Sequence, residues 1–195
     1  MNNWIERGQK VIMKTYSQFP LVYKEGNGIV VKDNTGKEYI DFVSGIAVNC
    51  LGYNNEKYNA AVIKQLSKFN HCSNLYWNKP SIEVAEMLTK NSNLDKVFFC
   101  NSGAEANEAA IKLAKKYSKK FKNKEAIEMI SMNQSFHGRT IAAITATGQT
   151  KYQKGLSPLL PGIKYAEFNN FESVKKLASE KTCAIIIEPI QGEGG

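Results

Sequence analysis

The most informative stretch of this chain reads Asn101-Ser-Gly-Ala-Glu-Ala-Asn-Glu108. It follows a short apolar run, residues 96–100, that we predict to be a strand, and it opens an alanine-rich helix predicted over about residues 104–120. Ser102 fits the N-cap of that helix, and Glu105 fits a capping box in which its carboxylate reaches back to the N–H of Ser102. The first backbone N–H groups of a helix have no partner inside it, and the helix dipole makes them suited to a phosphate. Helix capping alone also explains the pattern, so a phosphate site needs support from elsewhere in the sequence.

The composition is that of an ordinary globular protein. The 195 residues are 43% hydrophobic and 23% charged, within the usual range for soluble domains. The N-terminus has no signal-peptide pattern and no apolar run is long enough to cross a bilayer, so we expect a cytoplasmic protein without a membrane partner. Four scattered cysteines are interpreted as free thiols, and two histidines are too few for a His-rich metal site, so no metal is expected.

The formal net charge of +8 has two interpretations. Seven lysines lie between Lys112 and Lys124, and such a patch could bind nucleic acid. The same lysines also fit the solvated face and C-terminal end of one helix, where cations suit the dipole. No aromatic and basic interleaving accompanies the run, so the second interpretation is favoured and no nucleic-acid partner is expected.

Strands and helices alternate after the stretch that opens the long helix. This alternation predicts an α/β fold, a mainly parallel sheet with covering helices. The predicted strands cover residues 126–132, 163–168 and 183–188, with a short helix after Arg139 and another helix over residues 171–181. Earlier in the chain, residues 29–33 and 38–42 indicate a β-hairpin, and helices are predicted from Glu56 and from Pro80.

One face of the long helix carries mostly small residues, and we expect it to pack against the sheet. That face consists of Ala106, Ala110, Leu113, Ala114 and Tyr117.

Unusual segments follow the strands, where ligands bind in open α/β sheets. The second segment, residues 134–140, contains Phe136, whose ring could stack on a planar cofactor, and Arg139, whose fork suits a carboxylate. Phe136 could equally be a core residue and Arg139 a surface ion-pair partner, and His137 is interpreted as a hydrogen-bonded structural residue. The third segment, residues 188–195, carries two carboxylates through a glycine-rich loop, which could also be a solvated strand end.

Taken together, the three segments resemble those of the acetylornithine aminotransferases. These are class-III aminotransferases of fold type I, which use pyridoxal 5'-phosphate (PLP). The similarity covers essentially the whole chain, and the Phe-His-Gly-Arg-Thr run at residues 136–140 is typical of the ornithine and acetylornithine branch. Glu-Gly-Gly at residues 193–195 favours the acetylornithine side. Further matching runs lie at residues 40–48, 73–75 and 145–155.

The resemblance implies a cofactor site. Ser102, Gly103 and Ala104 would bind the PLP phosphate, and Phe136 would stack on the pyridine ring. Glu188 matches a family glutamate close to the cofactor. The implied architecture assigns residues 1–50 to the N-terminal segment of a small domain and residues 51–195 to an incomplete large PLP-binding domain of a homodimer.

The resemblance also implies substrates and roles for two charged residues. Arg139 would hold the substrate α-carboxylate, and Glu193 would help distinguish the amino donor from the dicarboxylate acceptor. The reaction implied moves the δ-amino group of N-acetylornithine to 2-oxoglutarate, giving glutamate in arginine biosynthesis. Succinyl-diaminopimelate, a substrate in lysine biosynthesis, is a further candidate.

Two departures from the family pattern affect these expectations. The family usually reads Leu-Gly-His-x-His-Pro where this chain has Leu-Gly-Tyr-Asn-Asn-Glu at residues 51–56, and no catalytic role is expected for Tyr53. The family's Schiff-base lysine and the aspartate that pairs with the pyridine nitrogen both lie beyond the Gly-Glu-Gly-Gly segment. We therefore expect residues 1–195 alone to be inactive. The alternatives are an ornithine or other ω-amino-acid aminotransferase, or a non-catalytic truncated protein that binds a ligand or assembles with a partner.

Overall fold

The computed structural model describes residues 3–195, which divide into two compact units. One unit ends at Ile82, and the other runs from Glu83 to Gly195. The predicted division at residue 50 concerns the domains of a whole enzyme and stays a prediction. The first unit contains α1 (Trp4–Val11), β1 (Tyr23–Asn27), β2 (Val30–Asp33), β3 (Glu38–Ile40), α2 (Ser44–Ala47) and α3 (Glu56–Leu66), and α4 (Lys79–Lys90) leads into the second unit.

The first unit is built on an antiparallel sheet in the order β1-β2-β3. Pairing of β2 with β3 confirms the predicted hairpin, whereas β1 was not predicted. Asp33 closes the hairpin turn, because its carboxylate accepts hydrogen bonds from the Thr35 N–H at 2.8 Å and from the Tyr39 hydroxyl at 2.9 Å. The hydrogen bond from the Thr35 hydroxyl is the main cause that lowers the pKa of Asp33 to about 2.

Tyr53, in the loop that departs from the family pattern, has a structural role in the first unit. Its ring lies against Gly26, where an added Cβ would come within 2.6 Å of the ring. Its hydroxyl donates to the Asp41 carboxylate at 2.7 Å, and this hydrogen bond lowers the pKa of Asp41. The hydrogen bond to Asp41 and the packing on β1 give Tyr53 a structural role.

The second unit is a parallel α/β structure, as predicted. Its elements are α5 (Gly103–Phe121), β4 (Glu128–Met132), α6 (Ile141–Ala146), α7 (Thr150–Gln153), β5 (Ile163–Ala166), α8 (Phe171–Leu177) and β6 (Thr182–Ile185). The sheet order is β5-β4-β6, with both pairs parallel. The central strand β4 is almost wholly buried.

Helices cover both faces of this sheet. On one face Met129 packs with Ile111 of α5 and Ala146 of α6, and on the other face Ile130 and Met132 pack towards α8. Alternate β4 side chains therefore enter two separate apolar layers, as a central strand of a covered parallel sheet requires. This arrangement brings the starts of α5 and α6 to the carboxyl ends of the strands.

The predicted strand over residues 96–100 is not a strand in the structure. No described strand pairs with this segment, and a strand needs a neighbour to take up its backbone hydrogen bonds. Phe98 and Phe99 are consequently 69% and 48% exposed. The strand prediction is wrong, because strand pairing depends on residues far away in the chain.

The predicted buried face of α5 is wrong except for Ala114, which packs against the core of Ile111, Met129 and Ala146. Leu113 and Tyr117 are 68% and 53% exposed, while Ile111 and Ser118 are buried. The buried face is displaced around the helix because Ile111 packs on β4, and Ser118 donates to the Asn123 carbonyl at 3.5 Å. The pattern of alanines flanked by Leu113 and Tyr117 therefore did not indicate which side of α5 packs against the sheet.

We expect a polypeptide of residues 1–195 alone to self-associate. Large apolar side chains, among them Phe98, Leu113 and Tyr117, are exposed in the described residues, and such surface favours association. Sedimentation velocity at several protein concentrations measures this directly. A single monomeric species that melts cooperatively would contradict the prediction.

Candidate functional site

The start of α5 presents three free backbone donors. Ser102 caps the helix, since its hydroxyl accepts the N–H of Glu105 at 3.1 Å. The Glu105 carboxylate accepts the N–H of Asn101 at 2.8 Å, and not that of Ser102 as the capping-box pattern predicted. The N–H groups of Ser102, Gly103 and Ala104 therefore have no acceptor among the described residues. Free donors at a helix start are suited to an anion.

The segment after β4 lies directly against this helix start. Gly138 has a φ of +128°, and a Cβ added to it would lie 2.7 Å from the Cβ and 2.9 Å from the Cα of Ala104. Such a contact requires a glycine, because a side chain would collide with helix backbone. Asn107 of α5 also donates to the His137 carbonyl at 2.7 Å. The first and second predicted segments are thus in contact.

Glu108 of α5 holds the other end of the second segment. Its carboxylate accepts the Thr140 hydroxyl at 2.6 Å and the Ala142 N–H at 3.2 Å. Thr140 is the N-cap of α6 and makes no capping hydrogen bond of its own, so Glu108 supplies the carboxylate that suits this helix start. Through these hydrogen bonds, Asn107 and Glu108 hold the second segment, residues 134–140, against α5.

The third segment contacts the second through Glu188. Its carboxylate accepts the Phe136 N–H at 2.9 Å. Nearby, the buried Gln191 side chain donates to the Asn133 carbonyl at 2.8 Å. Both bonds span more than fifty residues of sequence, so they join the chain after β6 to the end of β4. Glu188 is not a solvated strand-end acid; it fixes the backbone of the residue predicted to cover the cofactor ring.

Arg139 and Glu193 meet around one tyrosine. The guanidinium of Arg139 lies 4.5 Å from the Tyr152 ring centroid and 5.6 Å from the Phe136 ring centroid. Within residues 3–195 Arg139 forms no ion pair, so the surface-pair interpretation is not supported. The Tyr152 hydroxyl donates to the Glu193 carboxylate at 2.7 Å. Sequence reasoning missed Tyr152, and no local pattern marks it.

His137 is buried, with 5% of its surface exposed. Its backbone N–H donates to the Thr147 hydroxyl at 2.9 Å, but its Nε2 has no hydrogen-bond partner among the described residues. The structural role predicted for His137 thus rests on its backbone, not on Nε2. Burial lowers the pKa of His137, and the charge of Glu188 partly offsets this effect.

We expect His137 to titrate below its ordinary pKa of 6.5. The native state then binds fewer protons than the unfolded state just below pH 6.5, so the free energy of unfolding falls as the pH drops through that window. Replacing Glu188 by Gln should lower the His137 pKa further, while its amide oxygen still accepts the Phe136 N–H. NMR titration of the His137 imidazole in the unmodified protein and in Glu188→Gln measures both pKa values. A pKa at or above 6.5, or no change in Glu188→Gln, would contradict the prediction.

The site has groups that suit a phosphorylated cofactor. Three unpartnered N–H groups lie at one helix start, and the half-buried Phe136 lies on the adjoining segment. Across residues 3–195 no group of three or more His, Cys, Asp or Glu side chains is arranged to hold a metal.

None of the helices in that range is long and apolar enough to cross a membrane.

Comparisons with known proteins identify the family of this chain. The family model described as aminotransferase class-III matches residues 11–195. An acetylornithine aminotransferase of Clostridium acetobutylicum is 50% identical over 184 residues, which are 94% of this chain and 48% of that protein. One from Methanocaldococcus jannaschii is 48% identical over 193 residues, which are 99% of this chain and 48% of that protein. The chain therefore spans about half the length of the curated relatives it matches.

Solved structures show the same fold. The ornithine aminotransferase of Toxoplasma gondii has a TM-score of 0.92 and 26% identity, with 98% of this chain and 46% of that chain covered. An omega transaminase of Pseudomonas jessenii in complex with pyridoxamine phosphate has a TM-score of 0.87 and 27% identity, with 97% of this chain and 49% of that chain covered. The fold is thus that of the fold-type-I PLP aminotransferases. With the family model matching nearly its whole length, this chain belongs to the class-III aminotransferases, a family that depends on pyridoxal phosphate.

Proposed function

We propose that the polypeptide carrying these residues transfers the δ-amino group of N-acetylornithine to 2-oxoglutarate, in arginine biosynthesis. The relatives at 48–50% identity, which bear the acetylornithine name, support this substrate. The observation that carries the proposal is the set of three free N–H groups at the start of α5, of residues Ser102, Gly103 and Ala104. We further propose that the protein works in the cytoplasm as a homodimer.

Each site residue has a separate task in this proposal. The three N–H groups bind the phosphate of PLP, and Phe136 covers its ring. Glu188 keeps Phe136 in place through the backbone hydrogen bond at 2.9 Å. When bound, PLP supplies the electron sink that transamination needs, and the protein supplies orientation and charge.

The substrate side of the site uses two opposite charges. Arg139 binds the α-carboxylate of the amino donor, since its planar fork matches a carboxylate. Glu193 favours the donor over the dicarboxylate acceptor, because a like charge repels the second carboxylate. The absence of an ion pair to Arg139 among residues 3–195 leaves its fork available for substrate.

A second candidate is an ornithine or other ω-amino-acid aminotransferase. The structural similarity to an ornithine aminotransferase favours it, although the identity is only 26%. The ratio of kcat/KM for acetylornithine to that for ornithine decides between the two, since it compares transition-state binding of the two donors. Succinyl-diaminopimelate is a third donor to measure in the same assay.

The direct test uses the purified natural polypeptide that contains these residues. We expect PLP absorbance in the folded protein and conversion of acetylornithine with 2-oxoglutarate to glutamate. Folded protein that shows neither would refute the proposed function.

A further inference from the structure

Arg139 has no backbone tether of its own. Neither its N–H nor its carbonyl has a hydrogen-bond partner among residues 3–195. The residue is exposed, and its guanidinium lies beside the rings of Phe136 and Tyr152 without an ion pair in that range. The point from which the arginine side chain starts is therefore set by the residues on either side of it.

The residues before Arg139 are fixed on α5. The His137 carbonyl accepts a hydrogen bond from the half-buried Asn107 side chain at 2.7 Å. Gly138 is buried against Ala104, where an added Cβ would come within 2.7 Å of the Ala104 Cβ. This side of Arg139 is thus held by one hydrogen bond and by close packing on the start of the helix.

The residues after Arg139 depend on one carboxylate. Oε1 of the half-buried Glu108 accepts both the Thr140 hydroxyl at 2.6 Å and the Ala142 N–H at 3.2 Å. Thr140 is the N-cap of α6, but its side chain makes no capping hydrogen bond and donates to Glu108 instead. Glu108 therefore supplies the cap of α6 and ties the start of that helix to α5, directly after Arg139.

The same helix, α5, carries the proposed phosphate site. The last of its free N–H groups belongs to Ala104. Glu108 lies further along the helix by about 6 Å of rise. Because α5 packs on the sheet through Ile111, the spacing between these two points is fixed. A ligand with its phosphate on the first turn of α5 and its carboxylate on Arg139 must match a distance that depends on Glu108.

We propose that Glu108 is a positioning residue that sets the distance between the phosphate site on α5 and the guanidinium of Arg139. The inference rests on the proposed function, in which Arg139 binds the α-carboxylate of the amino donor. Without the Glu108 carboxylate, the start of α6 is released and Arg139 is held only from the side of His137 and Gly138. Its fork then meets the carboxylate with poorer geometry, while the phosphate site is unchanged. Glu108 does not contact the ligand; it acts through Thr140 and the backbone of Arg139.

The test compares two ligands that differ only in the α-carboxylate. One is the stable amine formed by reductive coupling of PLP with the δ-amino group of N-acetylornithine. The other is the same conjugate of N-acetylputrescine, which is N-acetylornithine without its carboxyl group. Fluorescence titration of the natural polypeptide, freed of cofactor, gives the Kd of each conjugate. The ratio of the two Kd values is the preference for the carboxylate, and its measurement needs no turnover.

We expect Glu108→Ala to lower this preference about five- to tenfold, the size expected when one of the two hydrogen bonds of a bidentate contact is lost. The Kd of the conjugate without the carboxylate should stay within about twofold of its value in the unmodified protein. Glu108→Gln keeps an oxygen acceptor for Thr140 and Ala142 and should retain most of the preference. In an Arg139→Ala background, Glu108→Ala should change the ratio no further, because the group that it positions is gone.

Glu172→Ala is the matched control, because it removes an exposed carboxylate from the first turn of α8, on the other face of the sheet. It should leave both Kd values unchanged. Equal weakening of both conjugates by Glu108→Ala would show only a loss of helix capping and would overturn the inference, as would a further fall in the Arg139→Ala background. If the unmodified protein shows no preference for the carboxylate, the proposed function and this inference fail together. A clear preference that is insensitive to Glu108→Ala overturns the inference alone.

Discussion

The Gly138→Ala variant is expected to lose about 3 kcal/mol or more of its free energy of unfolding. The new Cβ would lie 2.7 Å from the Cβ and 2.9 Å from the Cα of Ala104, and the φ of +128° is one that alanine rarely adopts. Because Ala104 belongs to the first turn of a helix, the collision cannot be relieved by turning a side chain. The second segment must move away from the start of α5, so cofactor binding should weaken as well.

Urea unfolding of the natural polypeptide, followed by circular dichroism, measures the stability change. Gly192→Ala is the matched control, since an added Cβ there meets no atom within 4 Å and no positive φ constrains the residue. It should stay within about 0.5 kcal/mol of the unmodified protein. Equal stability of the two variants would show that the close contact between Gly138 and Ala104 does not matter.

The second large effect is expected from Gly103→Pro, which should weaken the binding of pyridoxamine 5'-phosphate about tenfold or more. Proline at the first position of α5 removes one of the three free N–H groups, and hydrogen bonds to a charged group contribute about 1.5–3 kcal/mol. Proline is favoured at that helix position. The extended backbone of Ser102, with φ −158° and ψ 161°, also suits a residue before proline. The fold should therefore survive the change.

Gly103→Ala is the control that distinguishes the loss of the backbone N–H from the addition of a side chain. It keeps the N–H, and its Cβ would meet no protein atom within 4 Å. Fluorescence titration should give a clearly lower affinity for the proline variant than for the alanine variant, at similar melting temperatures. The same affinity in both would mean that the Gly103 N–H does not bind the phosphate.

Local features of the site could be predicted from the sequence. Ser102 as N-cap follows from short-range preferences, and the structure confirms it. The predicted hydrogen-bond donor to the Glu105 carboxylate, the Ser102 N–H, was wrong by one residue. The backbone of Ser102 is extended, and the Asn101 N–H donates to the carboxylate instead. The helices and parallel strands predicted after residue 101 are present, with ends that differ by a few residues.

Features that depend on distant residues could not be predicted. The run at residues 96–100 has strand-like sequence, but pairing needs a neighbouring strand that no local pattern specifies. Tyr152 and Glu193 are separated by 41 residues, and their hydrogen bond exists only because α7 and the end of the chain meet beyond the sheet. Likewise, only the fold shows that Gly138 touches Ala104.

The central claim is that the start of α5 binds the phosphate of the cofactor. Its most direct test compares two ligands on the natural polypeptide, pyridoxamine 5'-phosphate and pyridoxamine, which differ only in the phosphate. With three backbone donors and the helix dipole acting on that group, we expect the phosphorylated ligand to bind at least about a hundredfold more tightly. That ratio should shrink in Gly103→Pro. Equal affinities of the two ligands in the unmodified protein would contradict the claim.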